Sequence, residues 1–325
     1  MCNAMLFVPN FRVTIDADGL WNLASSSKRA HLDAVRGAHG VVLTPNKNEF
    51  DILTRAIATR VLDGELGGWE LDTVGLAQYL SVDSGNDGEV ETATSIREQV
   101  AALLMGTIGG RSGDILEQLA LRVCLTSRLL GGVTILLKGN FDIISAAGGI
   151  SGEAGAIDCA FAVGIDGEGD GRGKSVPVSR KRCGGQGDIL SGCAAVATYW
   201  GSLLAGEDGR QGGGRGVDAV YSQFVAALST AKPTMGVDLH TPQVFSHIAG
   251  LDAETEREHL VPPQTQLTAR QKGNLMGCVL ASVVVKTASG MAFAKFHRGM
   301  TAMNVLDEVA SAFHLLTSPE IEAKA

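Results

Sequence analysis

The segment Gly40-Val-Val-Leu-Thr-Pro-Asn-Lys-Asn-Glu-Phe50 has the pattern of a strand, a tight turn and a helix in immediate succession. Its apolar part, Gly40 to Thr44, is short and is closed by Pro45, which predicts a strand that stops at the proline. From Asn46 to Arg60 apolar residues recur at helical spacing. This order predicts one unit of an α/β fold.

The same rhythm occurs on either side of this segment. Arg12 to Asp16 is β-rich and is followed by a helical stretch, so it predicts a strand that enters a crossover. Val133 to Leu137 is a continuous apolar run, which is typical of a strand buried on both faces, and Phe141 to Ser145 begins its partner. We therefore expect a three-layer α/β/α fold with a mostly parallel central sheet.

The remaining chain divides into helices and irregular stretches. We expect a single domain that carries insertions near 63–113, 205–217 and 234–272, with Ser81 to Glu98 as a polar, acidic surface segment. Helices are predicted at Ile115–Leu130, Ile189–Leu204, Asn274–Phe296 and Thr301–Leu316.

Composition narrows the class of protein. The 325 residues contain 27 Lys and Arg against 35 Asp and Glu, a formal net charge of −8, which disfavours nucleic acid as a partner. Gly is present 42 times, nearly twice its usual share of about 7%, as suits a fold with many tight turns. The mean hydropathy of +0.15 provides for a buried core.

Apolar runs and cysteines bear on where the protein is located in the cell. No apolar run approaches the roughly 18 to 20 residues that a membrane span needs, and the best one, Met276 to Val285, ends at Lys286. The six cysteines form no C-x-x-C pair, and the seven histidines show no metal-ligand spacing. We expect reduced thiols, no protein-held metal, no membrane and a cytoplasmic location.

The stretch Arg182-Cys-Gly-Gly-Gln-Gly-Asp188 runs directly into a predicted helix. Its glycines allow the backbone to approach a ligand closely, and the helix that follows adds the positive end of its dipole. Asp188 beside such an anion hole could take a proton from a hydroxyl group that attacks a phosphoryl group. The structural alternative is a glycine turn whose aspartate only caps the helix.

Other polar residues follow the predicted strands. Lys138-Gly139-Asn140-Phe141-Asp142 comes after a buried strand, where Lys138 could reach a phosphate and Asp142 a ribose or metal, or the segment could be an ordinary hairpin turn.

Two further strand ends carry carboxylates. Asn46 and Glu49 could face a polar substrate or hydrated Mg²⁺, or could form a capping box. Asp16 and Asp18 could belong to the same rim, or could be turn residues.

Taken in order, these motifs resemble a known family. Thr14-Ile-Asp-Ala-Asp-Gly-Leu-Trp21, Leu43-Thr-Pro-Asn-Lys-Asn-Glu-Phe50, Lys138-Gly139 with Asp142, and Arg182-Cys-Gly-Gly-Gln-Gly-Asp-Ile-Leu-Ser-Gly192 look like eukaryotic ATP-dependent NAD(P)H-hydrate dehydratase. This is a metabolite-repair enzyme of the ribokinase-like superfamily. The tail from Leu280 through Arg298-Gly-Met-Thr301 to Glu308 is similar to that family's closing helices.

The resemblance implies a reaction and a set of residues. ATP would phosphorylate the ring hydroxyl of hydrated NADH or NADPH, phosphate would leave, and Mg²⁺ would neutralise the phosphates. Gly185, Gln186 and Gly187 would form the anion hole, and Asp188 would contact the substrate hydroxyl as base. The residues implied for ATP are Lys138, Gly139, Asp142, Arg182, Cys183 and Gly184. Those implied for the hydrated cofactor are Asn46, Glu49, Phe50, Asp16 and Asp18, with Asp188.

The resemblance also has a departure and two rivals. In the family the Asp-Ala-Asp-Gly-Leu strand comes well over a hundred residues into the domain, after a Gly-Pro-Gly turn that this sequence lacks. We therefore expect N-terminal strands of the fold to be missing, with any targeting segment that preceded them. A small-molecule kinase of the same superfamily, or an inactive nucleotide-binding protein, would share the glycine motif. A homo-oligomer is compatible with either.

Overall fold

The computed structural model describes residues 12–25, 29–63, 93–107, 115–146, 159–163, 183–204, 217–230 and 267–317. Its strands are β1 (Val13–Ile15), β2 (Val41–Leu43), β3 (Thr134–Leu137), β4 (Asp142–Ala146) and β5 (Cys159–Val163). Its helices are α1 (Asp18–Ala24), α2 (Arg29–Val35), α3 (Lys47–Asp63), α4 (Ala93–Met105), α5 (Ile115–Leu129), α6 (Gln186–Leu204), α7 (Val217–Thr230), α8 (Ala269–Phe296) and α9 (Ala302–Thr317), with a 3₁₀ turn at His297–Gly299 between the last two.

The described strands form one sheet in the order β1-β2-β3-β4-β5. β1, β2 and β3 are parallel, in a register that pairs Val13 with Val41 and Val42 with Thr134. β4 turns back as a hairpin partner of β3, and β5 is antiparallel to β4. The sequence predicted β1 to β4, including the partner strand, whereas β5 was not predicted. The sheet is therefore mixed, with its parallel half at the N-terminal end of the described chain.

Helices cover both faces of the sheet, as the alternation of strand side chains requires. Val41 and Leu43 of β2 point into a first core, which is shared with α1 to α5. Val42 between them packs into a second core, which is shared with the second helical layer, α6, α7 and α8. In β3, Ile135 and Leu136 divide in the same way. This confirms the three-layer α/β/α arrangement.

The helix α8 is the central element of the second layer, and it packs against α6, α9, α7 and the sheet. It begins with a capping box in which the Thr268 side chain accepts a hydrogen bond from the Gln271 amide, while the Gln271 side chain accepts one from the Thr268 amide. At its crossing with α6 the two backbones touch, because a Cβ built on Gly201 would lie 2.2 Å from the Gly273 carbonyl oxygen. Only glycine fits at that contact.

The sequence predicts no apolar stretch long enough to span a membrane, and α8 shows that this prediction is wrong. The stretch Ala269–Gly299 is long and apolar enough to cross a membrane by length and composition alone, although Lys286 interrupts its apolar run. However, 83% of its most apolar window is buried inside the protein, as in a core helix.

Several stretches that the sequence predicts to be irregular contain helices in the structure. α4 lies within the 63–113 segment, and its Val100, Leu103 and Leu104 are buried in the first core, so the acidic segment Ser81 to Glu98 leads into a core helix. α8 begins within the predicted 234–272 insertion. α7 was also not predicted. Most of the other predicted insertion residues lie outside the described ones, and the single-domain organisation stays a prediction.

Candidate active site

Three parallel strands end side by side and bring polar residues together. Asp16 follows β1, Thr44 follows β2 and Lys138 follows β3. The Lys138 amide donates to the Pro45 carbonyl oxygen at 2.8 Å, and Asn46 forms a parallel bridge with Lys138. The sequence predicted this shared edge, because the carboxyl ends of parallel strands lie on the same side of a sheet.

Lys138 is buried at this edge and paired with Asp16. The two side chains are 6% and 19% exposed, and the Lys138 Nζ lies 2.5 Å from the Asp16 Oδ1. Burial alone would raise the pKa of Asp16, but hydrogen bonds from Lys138 and Ser191 and the charge of Lys138 hold that pKa below its ordinary value. The carboxylate is therefore held ionised, and the Lys138 side chain is buried and not solvated, although the segment does form a hairpin turn.

The turn that carries Asp16 is strained. Ala17, between Asp16 and Asp18, has a φ of 44°, a conformation that L residues with a Cβ rarely adopt. Such strain persists only where surrounding contacts impose it, and it is common at functional sites. Asp18 begins α1 and is exposed.

The glycine loop enters α6 above this edge. The helix begins at Gln186, three residues before the predicted start, so Gln186, Gly187 and Asp188 form its first turn. Gly185 has a φ of +85°, and a Cβ there would lie 3.0 Å from the Ala302 Cβ at the start of α9. A Cβ on Gly187 would lie 3.5 Å from the Lys138 Nζ. The buried ammonium therefore lies directly against the first turn of the helix.

This loop has free hydrogen-bonding capacity. Within the described ranges, the amides of Gly184, Gly185 and Gly187 find no acceptor. Gln186 is 8% exposed, and its Oε1 has no partner among the same residues. Free amides at a helix N-terminus next to an ammonium make a site suited to an anion such as a phosphoryl group.

Asp188 is exposed and is one of the residues that line an apolar cavity of about 720 Å³. Residues of α6, α8 and α9 line that cavity, among them Gly192, Trp200, Val284 and Phe313. Cys193 also lines it, and burial raises the pKa of its thiol, which therefore stays neutral. This cavity was not predicted from the sequence, because its walls combine α6 with α8 and α9, which come much later in the chain.

The residues after β2 adopt the capping arrangement. The Asn46 amide donates to the Glu49 Oε2 at 2.8 Å, and the Glu49 amide donates to the Asn46 Oδ1 at 3.0 Å. Phe50 is completely buried in the first core, with the Arg122 guanidinium 5.4 Å from its ring centre. The geometry thus gives Phe50 a packing role, and its predicted contact with a substrate finds no support in this placement.

The residues after β3 form the hairpin turn. Asp142 is 1% exposed, and its Oδ1 accepts from the Gly139 amide at 2.9 Å. Its Oδ2 accepts from the Ser282 hydroxyl at 2.6 Å and lies 3.1 Å from the Lys286 Nζ. These contacts engage both carboxylate oxygens, so the geometry favours a structural role for Asp142 over contact with a ribose or metal.

The remaining predicted residues divide between described and undescribed parts. Cys183 and Gly184 belong to the glycine loop, and Cys183 forms no disulfide among the described residues, nor do Cys124, Cys193 and Cys278. Arg182 lies outside the described residues. Two hydroxyl residues at the site were not predicted, Thr44 and Ser191, although Ser191 stands one helical turn after Gly187.

The ion pair predicts a pH dependence. Because the pKa of Asp16 is lowered in the folded protein, its contribution to stability is present above the pKa of an unfolded aspartate, about 3.9, and is lost as the pH falls through the folded value. Asp16→Asn should therefore reduce the free energy of unfolding at pH 7 by about 2 kcal/mol. Denaturant unfolding from pH 7 to pH 3 measures this, and the difference from the unmodified chain should shrink over the acid part. A constant difference would contradict the assignment.

The fold and this edge together define a class of protein: a three-layer α/β protein with a glycine loop, suited to an anion, above the ends of its parallel strands. The chain is 30% identical over 194 residues to ATP-dependent (S)-NAD(P)H-hydrate dehydratase of Bos taurus, covering 60% of this chain and 35% of that protein. It is 31% identical over 191 residues to the protein of that name from Vitis vinifera, covering 59% and 32%. The match to the Emericella nidulans protein is 25% identical over 307 residues, covering 94% and 57%.

These relatives confirm the resemblance to the ATP-dependent NAD(P)H-hydrate dehydratase family and, with it, the ribokinase-like fold class. No family model matches the chain. The matches span about a third to just over half of the length of these relatives, at 35%, 32% and 57%.

Proposed function

We propose that this chain catalyses the ATP-dependent dehydration of hydrated NADH or NADPH, giving the reduced cofactor, ADP and phosphate. One observation carries the proposal. The exposed Asp188 stands on the helical turn where free amides meet the buried Lys138 ammonium. The names of the relatives support the same activity, which is that of a lyase.

The residues have distinct roles in this proposal. Asp188 takes the proton of the ring hydroxyl while the hydroxyl oxygen bonds to the γ-phosphorus of ATP. The bond from that phosphorus to ADP breaks in the same step. The amides of Gly185 and Gly187, with Lys138, stabilise the charge on the transferred phosphoryl group. The carbon–oxygen bond then breaks and phosphate leaves. Loss of a proton from the neighbouring ring carbon restores the double bond.

The two substrates are given different residues in this proposal. We propose that Gly139, Arg182, Cys183 and Gly184 contact ATP. The hydrated cofactor lies towards the strand edge, near Asp16, Asp18, Asn46 and Glu49. All of the residues proposed for the two substrates are described in the structure except Arg182.

The proposed reaction would also need Mg²⁺, so the residues that could hold this ion are relevant. The described residues contain no cluster of three or more His, Cys, Asp or Glu that could hold a metal ion. Mg²⁺ needs no such cluster, because proteins commonly hold it through one or two carboxylates together with the phosphates of a nucleotide. We propose Asp188 as the carboxylate next to it. The ion would supply neutralisation of phosphate charge.

The apolar cavity next to Asp188 is within the usual size range of small-molecule pockets, about 300–1,000 Å³. We propose that it receives a flat ring of one of the two nucleotides. A Cβ on Gly192 meets no atom within 4 Å. Gly192→Phe should therefore fill the cavity without disturbing the helix.

We expect Gly192→Phe to weaken the binding of ATP or of the hydrate at least about tenfold, because the ring of that ligand loses its apolar contacts in the cavity. Isothermal titration with each ligand measures this. Gly192→Ala is the matched control, since it leaves most of the volume open. Equal affinities in the two variants and the unmodified chain would place both rings elsewhere.

The function is tested by incubating the purified chain with ATP, Mg²⁺ and hydrated NADH or NADPH while following the absorbance of reduced nicotinamide. Recovery of absorbance with release of phosphate supports the dehydratase. A stable phosphorylated alcohol instead would indicate a small-molecule kinase, and ATP binding without turnover would indicate an inactive nucleotide-binding protein.

We further propose a cytoplasmic location. Four cysteines form no disulfide within the described part of the chain, and Cys124 and Cys278 among them are buried, which suits a reducing compartment.

A further inference from the structure

We infer that Ser191 is a positioning residue, which holds the Lys138 ammonium and the first turn of α6 in one fixed arrangement. The inference rests on the proposed function for its catalytic consequence, and on the contacts of one hydroxyl group for its geometry.

Ser191 is 7% exposed, and its hydroxyl meets four groups. The Ser191 Oγ lies 2.6 Å from the Asp16 Oδ2 and 3.0 Å from the Thr44 Oγ1. It lies 3.0 Å from the Gly187 carbonyl oxygen and accepts from the Lys138 Nζ at 3.5 Å. The hydroxyl has one proton, and the short contact to an ionised carboxylate is where that proton is best placed.

This single hydroxyl therefore ties α6 to the sheet edge, because Asp16, Thr44 and Lys138 follow the three parallel strands. With its proton on Asp16, the hydroxyl only touches the Gly187 carbonyl oxygen, one turn earlier in α6. Without Ser191, the described side-chain contacts leave the first turn of α6 tied to the sheet edge only by packing. The hydroxyl thus sets the height of the glycine turn above Lys138.

The arrangement also leaves Lys138 ready for an anion. An ammonium has three donors. Among the residues that the structure describes, Asp16 and Ser191 accept two of them. The third remains for a phosphoryl oxygen, next to the free Gly187 amide. If Ser191 is lost, Lys138 can turn to pair with Asp16 alone, and the cation and the amides no longer converge.

The chain offers a matched control on the same helix. Ser202 is 4% exposed, and its hydroxyl donates at 2.6 Å to the Tyr199 carbonyl oxygen, a bond within α6. Ser191→Ala and Ser202→Ala remove the same atom from buried sites. A general loss of helix stability should affect both, whereas a positioning role should separate them. Ser191→Thr restores the hydroxyl.

The experiment measures ATP affinity by titration calorimetry, kcat and KM for hydrated NADH, and thermal unfolding. We expect Ser191→Ala to lower kcat by about tenfold to a hundredfold, as loss of a hydrogen bond to charged groups does. KM should change far less, Ser202→Ala should stay near the unmodified chain, and Ser191→Thr should recover part of the loss.

The outcomes separate this inference from the proposed function. If the unmodified chain binds ATP but does not dehydrate the hydrate, the proposed function fails, and a weaker ATP affinity in Ser191→Ala than in Ser202→Ala still supports positioning. If the two alanine variants match in both kcat and ATP affinity, positioning is wrong even in an active dehydratase. A chain that neither binds ATP nor turns over would overturn both.

Discussion

Asp188→Asn should lower the rate of recovery of NADH from its hydrate by about 100-fold to 10,000-fold, the usual contribution of general acid–base catalysis. Asn has nearly the same shape but accepts no proton from the ring hydroxyl. Because Asp188 is exposed on the first turn of α6, the variant should fold as the unmodified chain does. The measurement is the initial rate of absorbance recovery at saturating ATP.

A second aspartate provides the control. Asp218 lies in the first turn of α7, as Asp188 does in α6, and its side chain is 72% exposed and paired with Lys272 at 2.6 Å. Asp218→Asn removes the same charge from the first turn of another helix, away from the glycine loop, so its rate should stay within about twofold. Equal rates in both variants would remove Asp188 from the proposed chemistry and leave it as a helix-end residue.

Gly201→Ala should reduce the free energy of unfolding by about 3 kcal/mol, the upper part of the range for overpacking a core. The added Cβ would lie 2.2 Å from the Gly273 carbonyl oxygen, and that oxygen is backbone, so α6 and α8 must move apart. Because these two helices make up much of the second layer, their separation should also disturb the cavity beside Asp188. Denaturant unfolding monitored by circular dichroism measures the change.

Gly192→Ala tests the same substitution on the same helix without the contact. A Cβ on Gly192 has no atom within 4 Å, so the change should only improve helix propensity and raise stability by about 0.5–1 kcal/mol. The two variants should thus differ in sign. A small stabilisation by Gly201→Ala would mean that the helices do not touch along this line.

The strands of the parallel half could be predicted because each carries its own signal. The apolar runs before Pro45 and before Lys138 are short and end in turn residues, and that pattern is local. β5 and the helices α4 and α7 could not be recognised in the same way. α4 begins in a stretch of polar and acidic residues, and its apolar residues gain meaning only from the core that they enter.

The site was predictable to the same extent. Asp16 and Lys138 were assigned to one edge because parallel strands end together. Asn46 with Glu49, and Lys138 with Asp142, each admitted two interpretations, since capping and turn residues have the same chemistry as ligands. In the structure Glu49 caps its helix and Asp142 closes the hairpin turn. Lys138, in contrast, is buried against Gly187.

The sequence by itself determined the α/β class, the strand ends and the glycine loop with Asp188, because these depend on the order of neighbouring residues. Only the tertiary structure decided that Ser191 joins Asp16 to Lys138, that α6 and α8 touch at two glycines, and that three helices enclose a cavity. The physical reason is distance along the chain: Asp16 and Ser191 are 175 residues apart, and no local pattern records a contact made by folding.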